Sequence, residues 1–148
     1  MAITNKEIVK SLKLMGQLME LHEENPFKVK SINNASYKLG KYAEILADKS
    51  TAELSAIEGV GKSVAAKIEE LINTGKIEEL ESLKSQTPEG VIDMLSIKGL
   101  GPKKIQIIWK TLDIETVGEL YYACIENRLV EAKGFGLKTQ EEVKKLIE

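Results

Sequence analysis

The chain has 148 residues, 43% hydrophobic, 5% aromatic and 30% charged, with a net charge of −2. This suits one or two small domains with a real core, built from good helix formers. One cysteine, Cys124, excludes an internal disulfide and suits a reducing compartment, one histidine, His22, argues against a zinc site, and no apolar run is long enough to span a membrane.

In chain order, Thr4-Asn5-Lys6-Glu7 reads as a capping box. Ile8, Leu12, Met15, Met19 and His22 mark one face of a helix that stops before Pro26, with His22 a boundary residue. A second helix is predicted over 28–46, burying Ile32, Ala35, Leu39, Tyr42 and Leu46. Ser50-Thr51-Ala52-Glu53 is another capping box and opens a short helix. The next helix runs from Lys62 to Thr74 and is closed by Gly75, and Ile77, Leu80 and Leu83 suggest one more. The Ser85-Gln86-Thr87-Pro88 break divides a first domain, 1–86, from a second, 87–148. It holds few linker residues, so the halves are expected to pack together. Pro88 suits the first position of the following helix, and Pro102 starts another. Thr116-Val117-Gly118-Glu119 caps a helix containing Leu120, Tyr121 and Ala123, and Lys138 to Ile147 closes the chain. No alternating run demands a strand, so the expected fold class is all-α, with two packed small helical subdomains. Gly16, Gly40, Gly90 and Gly118 fall within helical patterns and are expected to mark close helix crossings. Trp109 and the Tyr121–Tyr122 pair are candidates for stacking on bases, although the apolar stretch around Trp109 favours a core role.

A segment within this order occurs three times. Its copies are Ile57-Glu58-Gly59-Val60-Gly61-Lys62-Ser63, Ile97-Lys98-Gly99-Leu100-Gly101-Pro102-Lys103 and Ala132-Lys133-Gly134-Phe135-Gly136-Leu137-Lys138. The flanks agree too. Leu54, Met94 and Leu129 hold one shared position, Ile68, Ile108 and Val143 a second, and Ile72, Leu112 and Ile147 a third. Each copy reads as helix, tight hairpin, helix. Glycines let the chain reverse and leave no side chain between backbone and ligand. The following helix starts with free N–H groups and a positive dipole end, which suits phosphate. The apolar residue between the glycines pins the hairpin to the core. The plain alternative is a helical corner that holds no ligand.

Charge distribution supports the phosphate reading despite the net charge of −2. From Asn25 to Ala43 stand Lys28, Lys30, Lys38 and Lys41 with no acid, and from Met94 to Leu112 stand Lys98, Lys103, Lys104 and Lys110, again with none. Two local basic faces on an acidic body can hold a phosphate backbone.

These segments resemble the helix-hairpin-helix motif, which grips nucleic-acid backbones through hairpin amides without reading bases. Together with Asn25-Pro26-Phe27-Lys28-Val29-Lys30 and Ser63-Val64-Ala65-Ala66-Lys67-Ile68, their order resembles the N-terminal region of a bacterial family X DNA polymerase, the family of polymerase beta. The resemblance covers nearly the whole chain. It implies a fragment that holds gapped or nicked double-stranded DNA, as a cytoplasmic monomer with no membrane partner, in DNA repair. The DNA-binding residues it implies are Lys28, Gly59, Val60, Gly61, Lys62, Ser63, Gly99, Leu100, Gly101, Lys103, Lys104, Gly134, Gly136 and Lys138. Family hairpins also bind a monovalent cation, Na+ or K+. Here the backbone carbonyls of Ser55, Ile57 and Val60, and of Leu95, Ile97 and Leu100, would hold it. The catalytic palm, with its Mg2+ or Mn2+ and its aspartates, has no counterpart, since Asp48, Asp93 and Asp113 are widely spaced.

The first domain in such relatives can also cleave a 5′-deoxyribose phosphate through a lysine Schiff base. The matching residue is Lys67, which Ala65, Ala66 and Ile68 are expected to desolvate. The chain departs from the family at Ser31-Ile32-Asn33-Asn34 and at Ser63, where an aromatic residue, an arginine and a lysine are usual. Both departures weaken the lyase reading. A standalone adaptor that binds DNA or protein without catalysis is the alternative.

Overall fold

Thr4 opens the first helix, α1 (Asn5–Leu21), by accepting the Glu7 N–H at 3.1 Å. The computed structural model to which this helix belongs describes residues 3–148 and divides into two units, Met1–Leu83 and Lys84–Glu148. No strand forms among the described residues. The fold is all-α, as the periodicity implied.

In the first unit, Ile8, Leu12, Met15 and Met19 form the expected buried stripe of α1, joined by Leu18 and Leu21. The helix closes without glycine. Glu23 takes φ 56°, and the Glu24 N–H reaches back to Met19 O at 2.9 Å. His22 sits half-buried at the C-cap. Helix α2 (Pro26–Leu39) starts under the Asn25 side chain, which accepts the Phe27 N–H at 2.8 Å. Gly16 lets the two helices approach closely, because a Cβ there would run into the Asn33 side chain and meet Ile32 Cγ2 at 3.4 Å.

Helix α2 ends at Leu39, well short of the predicted Leu46. Gly40 is its C-cap, and beyond it a polar side chain on α1 holds the chain on another course. Asn5 Nδ2 donates to Glu44 O at 2.7 Å, and Asn5 Oδ1 accepts the Leu46 N–H at 2.9 Å. These bonds take the backbone groups that a longer helix would use. Tyr42 is only half-buried, and Leu46 is buried within a 3₁₀ turn, Leu46–Asp48. Helix α3 (Thr51–Ser55) carries both halves of its capping box, with Glu53 N to Ser50 Oγ at 3.2 Å and Ser50 N to Glu53 Oε1 at 3.0 Å. Helix α4 (Gly61–Thr74) is closed by Gly75 at φ 82°. Helix α5 (Glu78–Ser85) spans the division and buries Leu80 and Leu83. Its first N–H donates to Glu70 Oε2 of α4 at 2.8 Å.

The second unit continues with α6 (Glu89–Met94), which Pro88 precedes as N-cap rather than entering. Helix α7 (Pro102–Gln106) begins at proline as predicted, but then widens into a π-helical turn, Ile107–Thr111. There the Leu112 N–H reaches Ile107 O at 3.0 Å. Trp109 is 8% exposed, and its Nε1 donates to Glu115 Oε2 at 3.3 Å, so it serves the core. Helix α8 (Val117–Ile125) is capped by Thr116 and closed through Asn127 at φ 57°. Tyr121 and Tyr122 meet edge to face with ring centroids 6.1 Å apart, and Tyr122 is exposed. Burial pushes the Cys124 thiol pKa up. The chain ends in a 3₁₀ turn, Leu129–Glu131, and α9 (Leu137–Ile147). The buried Gln140 ties α9 to this turn, accepting the Val130 N–H at 3.0 Å and donating to Asn127 Oδ1 at 2.9 Å.

Two of the four helical glycines mark close approaches. At Gly90 a Cβ would meet the backbone of Glu115 and Thr116, as at Gly16 it would meet α2. Gly40 and Gly118 meet no other element, which corrects that expectation. Of the shared repeat positions, Leu54, Met94, Leu129, Ile68 and Ile108 are fully buried and Val143 nearly so, while Ile72, Leu112 and Ile147 are half-buried.

Candidate nucleic-acid interface

The three hairpins fold to one turn. Val60 N–H donates to Ile57 O at 3.1 Å, Leu100 N–H to Ile97 O at 3.1 Å, and Phe135 N–H to Ala132 O at 3.2 Å. The third residues of these turns, Gly59, Gly99 and Gly134, have φ of 87°, 92° and 90°. A type II turn requires that left-handed value there. Val60, Leu100 and Phe135 are buried and pin each turn to the core of its unit. Their amides are used inside the turn. Val60 and Leu100 therefore support the hairpin and offer a ligand neither side chain nor N–H, which narrows the set implied by the family pattern.

The second glycines differ despite identical spacing. Gly61 is left-handed at φ 70°, whereas Gly101 and Gly136 are extended, at φ −89° and −100°. A Cβ added at Gly61, Gly99, Gly101, Gly134 or Gly136 would meet nothing within 4 Å. The space before these amides is open. Gly59 is the exception, covered by Lys38 Cγ at 2.9 Å and Asn34 Nδ2 at 3.3 Å.

The helix starts that follow the hairpins share a second property. Thr4, Asn25, Ser50 and Thr116 cap α1, α2, α3 and α8 with side-chain oxygens. At α4, α7 and α9 no side chain caps the start. Their first-turn N–H groups have no helical acceptor upstream, and the dipole adds partial positive charge. An anion at these places would find donors and field together. Lys62, Lys103 and Lys138 are exposed just past the three turns, Ser63 is exposed, and Lys104 is half-buried.

The amino-acid sequence of known families agrees with this geometry. A family model described as a helix-hairpin-helix domain matches residues 3–77, and one described as a SAM-like helix-hairpin-helix tandem matches residues 91–145. The chain belongs to the helix-hairpin-helix domain family. It is also similar to the DNA polymerase/3'-5' exonuclease PolX of Bacillus subtilis (strain 168), at 33% identity over 138 residues, or 93% of this chain. The match spans 24% of that relative's length. The resemblance to a bacterial family X polymerase drawn from the sequence is thus borne out.

Around the first helix-hairpin-helix turn the fold gathers side chains that spacing alone did not reveal. Lys38, on α2, places its Nζ 3.6 Å from Glu58 Oε1, within the hairpin itself. A hollow of about 560 Å³ beside that turn is lined by Lys38, Tyr42, Lys49, Glu53 and Glu58. Lys28 is exposed near the start of α2. In the second unit, Lys98 and Gly99 of one hairpin share a hollow of about 420 Å³ with Glu142, Lys145 and Leu146 of α9. The acid of the third repeat thus stands beside the second hairpin, with Lys145 to offset it.

Lys67 lines neither hollow beside the hairpins. It is half-buried on α4, with its Nζ 3.5 Å from Glu79 Oε1. Ala65 and Ile68 are buried and Ala66 is exposed, so the partner that covers the amine is Glu79 rather than its sequence neighbours. Glu79 Oε2 is buried with no hydrogen-bond partner. Among the described residues, no group of three or more His, Cys, Asp and Glu side chains is placed to hold a metal ion, and no helix is long and apolar enough to cross a membrane.

Proposed function

We propose that this chain is the DNA-gripping N-terminal region of a bacterial repair polymerase of family X, holding gapped or nicked duplex through backbone phosphates without reading sequence. One observation carries the reading. Three glycine turns, open at every glycine but Gly59, lead into helix starts that no side chain caps, each followed by an exposed lysine. Such starts present N–H donors at fixed positions, which position a backbone and specify no base. The match to the polymerase over 93% of the chain favours this over a standalone adaptor.

A monovalent cation, Na+ or K+, fits the same turns. Ile57 O and Ile97 O each accept one hydrogen bond within the turn. A carbonyl oxygen has two lone pairs, so one stays available beside the carbonyls of Ser55 and Val60, or of Leu95 and Leu100. Neutral donors alone suit a single positive charge.

The test is the salt dependence of binding to a one-nucleotide-gapped duplex. The slope should fall by about 0.9 for each phosphate contact removed. Lys62→Gln, Lys103→Gln and Lys138→Gln would each flatten it, and unchanged slopes would refute phosphate gripping at these starts.

A second reading, 5′-deoxyribose phosphate lyase activity through Lys67, draws support from the partial burial of that amine. Once the Lys67 amine leaves Glu79 and gives its proton to water, it adds to the sugar aldehyde. Water leaves as the imine forms. Loss of a C2′ proton then breaks the C3′–O bond to the downstream strand. Borohydride should trap a covalent adduct on wild type and none on Lys67→Ala, and equal trapping on both would exclude Lys67.

A further inference from the structure

Buried Gln140 and Val143 turn one side of α9 toward the core of the second unit. At about 3.6 residues per turn, Glu142, Lys145 and Leu146 share the other side. All three line the hollow of about 420 Å³ that also takes in Lys98 and Gly99 of the second hairpin. Lys98, Glu142 and Lys145 are exposed and Leu146 is 53% exposed, so core packing does not account for any of them. Among the described residues, neither Lys98 nor Lys145 forms an ion pair.

The first hairpin differs at each of these points. Glu58 stands before its first glycine, where the second hairpin has Lys98, and pairs with Lys38 at 3.6 Å. Lys38 and Asn34 cover Gly59, whereas a Cβ at Gly99 would meet nothing within 4 Å. The same spacing thus makes one hairpin whose neighbouring cation is already neutralised and one whose cations face open space. Two free ammonium groups against one carboxylate leave the second hollow net positive, which suits an anion. Its apolar part, Leu146, suits the sugar that joins two phosphates.

We propose that α9 supplies a second wall to the backbone site of the second hairpin. One phosphate of a DNA strand sits between Lys98 and Lys145, with its deoxyribose on Leu146, and Glu142 holds the affinity down by repelling the strand. Glu142 to Leu146 rises about 6 Å along the helix, against about 3.4 Å of axial rise per phosphate on one strand. The wall is therefore long enough for one phosphate and its sugar. The inference rests on the reading of this chain as a duplex gripper and deepens it. It gives the third repeat a part in binding through the far end of its helix, apart from its glycine turn.

The test is fluorescence anisotropy of the full chain on labelled gapped duplex across a salt series. Lys145→Gln should flatten the salt slope by about 0.9, as the loss of one phosphate contact does. Glu142→Gln should tighten binding about two- to fivefold at low salt, the range of one exposed charge interaction. Lys144→Gln and Glu141→Gln make the same charge changes on the same helix but line no part of the hollow, so both should bind nearly like wild type. Thermal melts of all four should match wild type, because none of these side chains is buried. An unchanged slope for Lys145→Gln, or a gain for Glu141→Gln as large as that for Glu142→Gln, would overturn the proposal. Lys103→Gln separates the two levels. If it flattens the slope and Lys145→Gln does not, the second wall alone falls. If neither does, the gripping reading falls and this inference with it.

Discussion

Gly99 and Gly101 look alike in the sequence and do different work. Gly99 has φ 92°, which an L side chain adopts only at a cost of about 1–2 kcal/mol. Gly101 is extended, and a methyl group there meets nothing within 4 Å. Gly99→Ala should therefore lower thermal stability by about that amount. Gly101→Ala should melt like wild type yet bind gapped duplex more weakly, because its methyl would stand where the proposed phosphate contact needs space. Thermal melts paired with anisotropy separate the two, and Gly101→Ala binding at full strength would leave its glycine without a ligand-based reason. The turns themselves were readable, since spacing alone located three left-handed glycines and three buried anchors. Lys38 and Asn34 at Gly59 were not, because that contact joins residues on different helices. Nor was the Lys67–Glu79 pair, which only the packing of α5 on α4 brings together.

Helix existence was read correctly from apolar periodicity, and boundaries failed where side chains reached in from elsewhere. Asn5 binds the backbone at Glu44 and Leu46, and so holds the chain beyond α2 on another course. Gly40, the C-cap residue, is a local stop signal that the apolar stripe through Tyr42 and Leu46 outweighed. The closures at Glu23 and Asn127 use residues other than glycine, so a search for glycine passes over them. The Ser50–Glu53 box was fully legible, because its two bonds are local. It also makes a prediction. The hydrogen bonds that Ser50 donates hold the Glu53 carboxyl below its ordinary 4.5. The folded value is depressed, so its stabilisation is present above that value and is lost as pH falls through the lower one. The melting temperature of wild type should thus drop more steeply than that of Ser50→Ala on acidification below about 4.5. Ser50→Ala should itself cost about 1 kcal/mol at neutral pH. Parallel slopes for the two proteins would mean that the Ser50 hydroxyl adds nothing to the pH dependence and that the backbone N–H, kept in the variant, carries it alone.

Across the whole molecule, 21 basic residues face 23 acids, and yet the reading is of a phosphate binder. The resolution is local. Lysines collect at the turns and on the acid-free stretches, while amides and helix starts add positive potential that a residue count omits. Binding of this kind is strong at low salt and fades as the Debye length shrinks. The measurement that tests it most directly is an NMR titration of the chain with gapped duplex at low salt. The account predicts shifts in the amides of Gly61, Lys62, Gly101, Lys103, Gly136 and Lys138 that reverse as salt is raised. Shifts confined to other surfaces, or none at all, would contradict it.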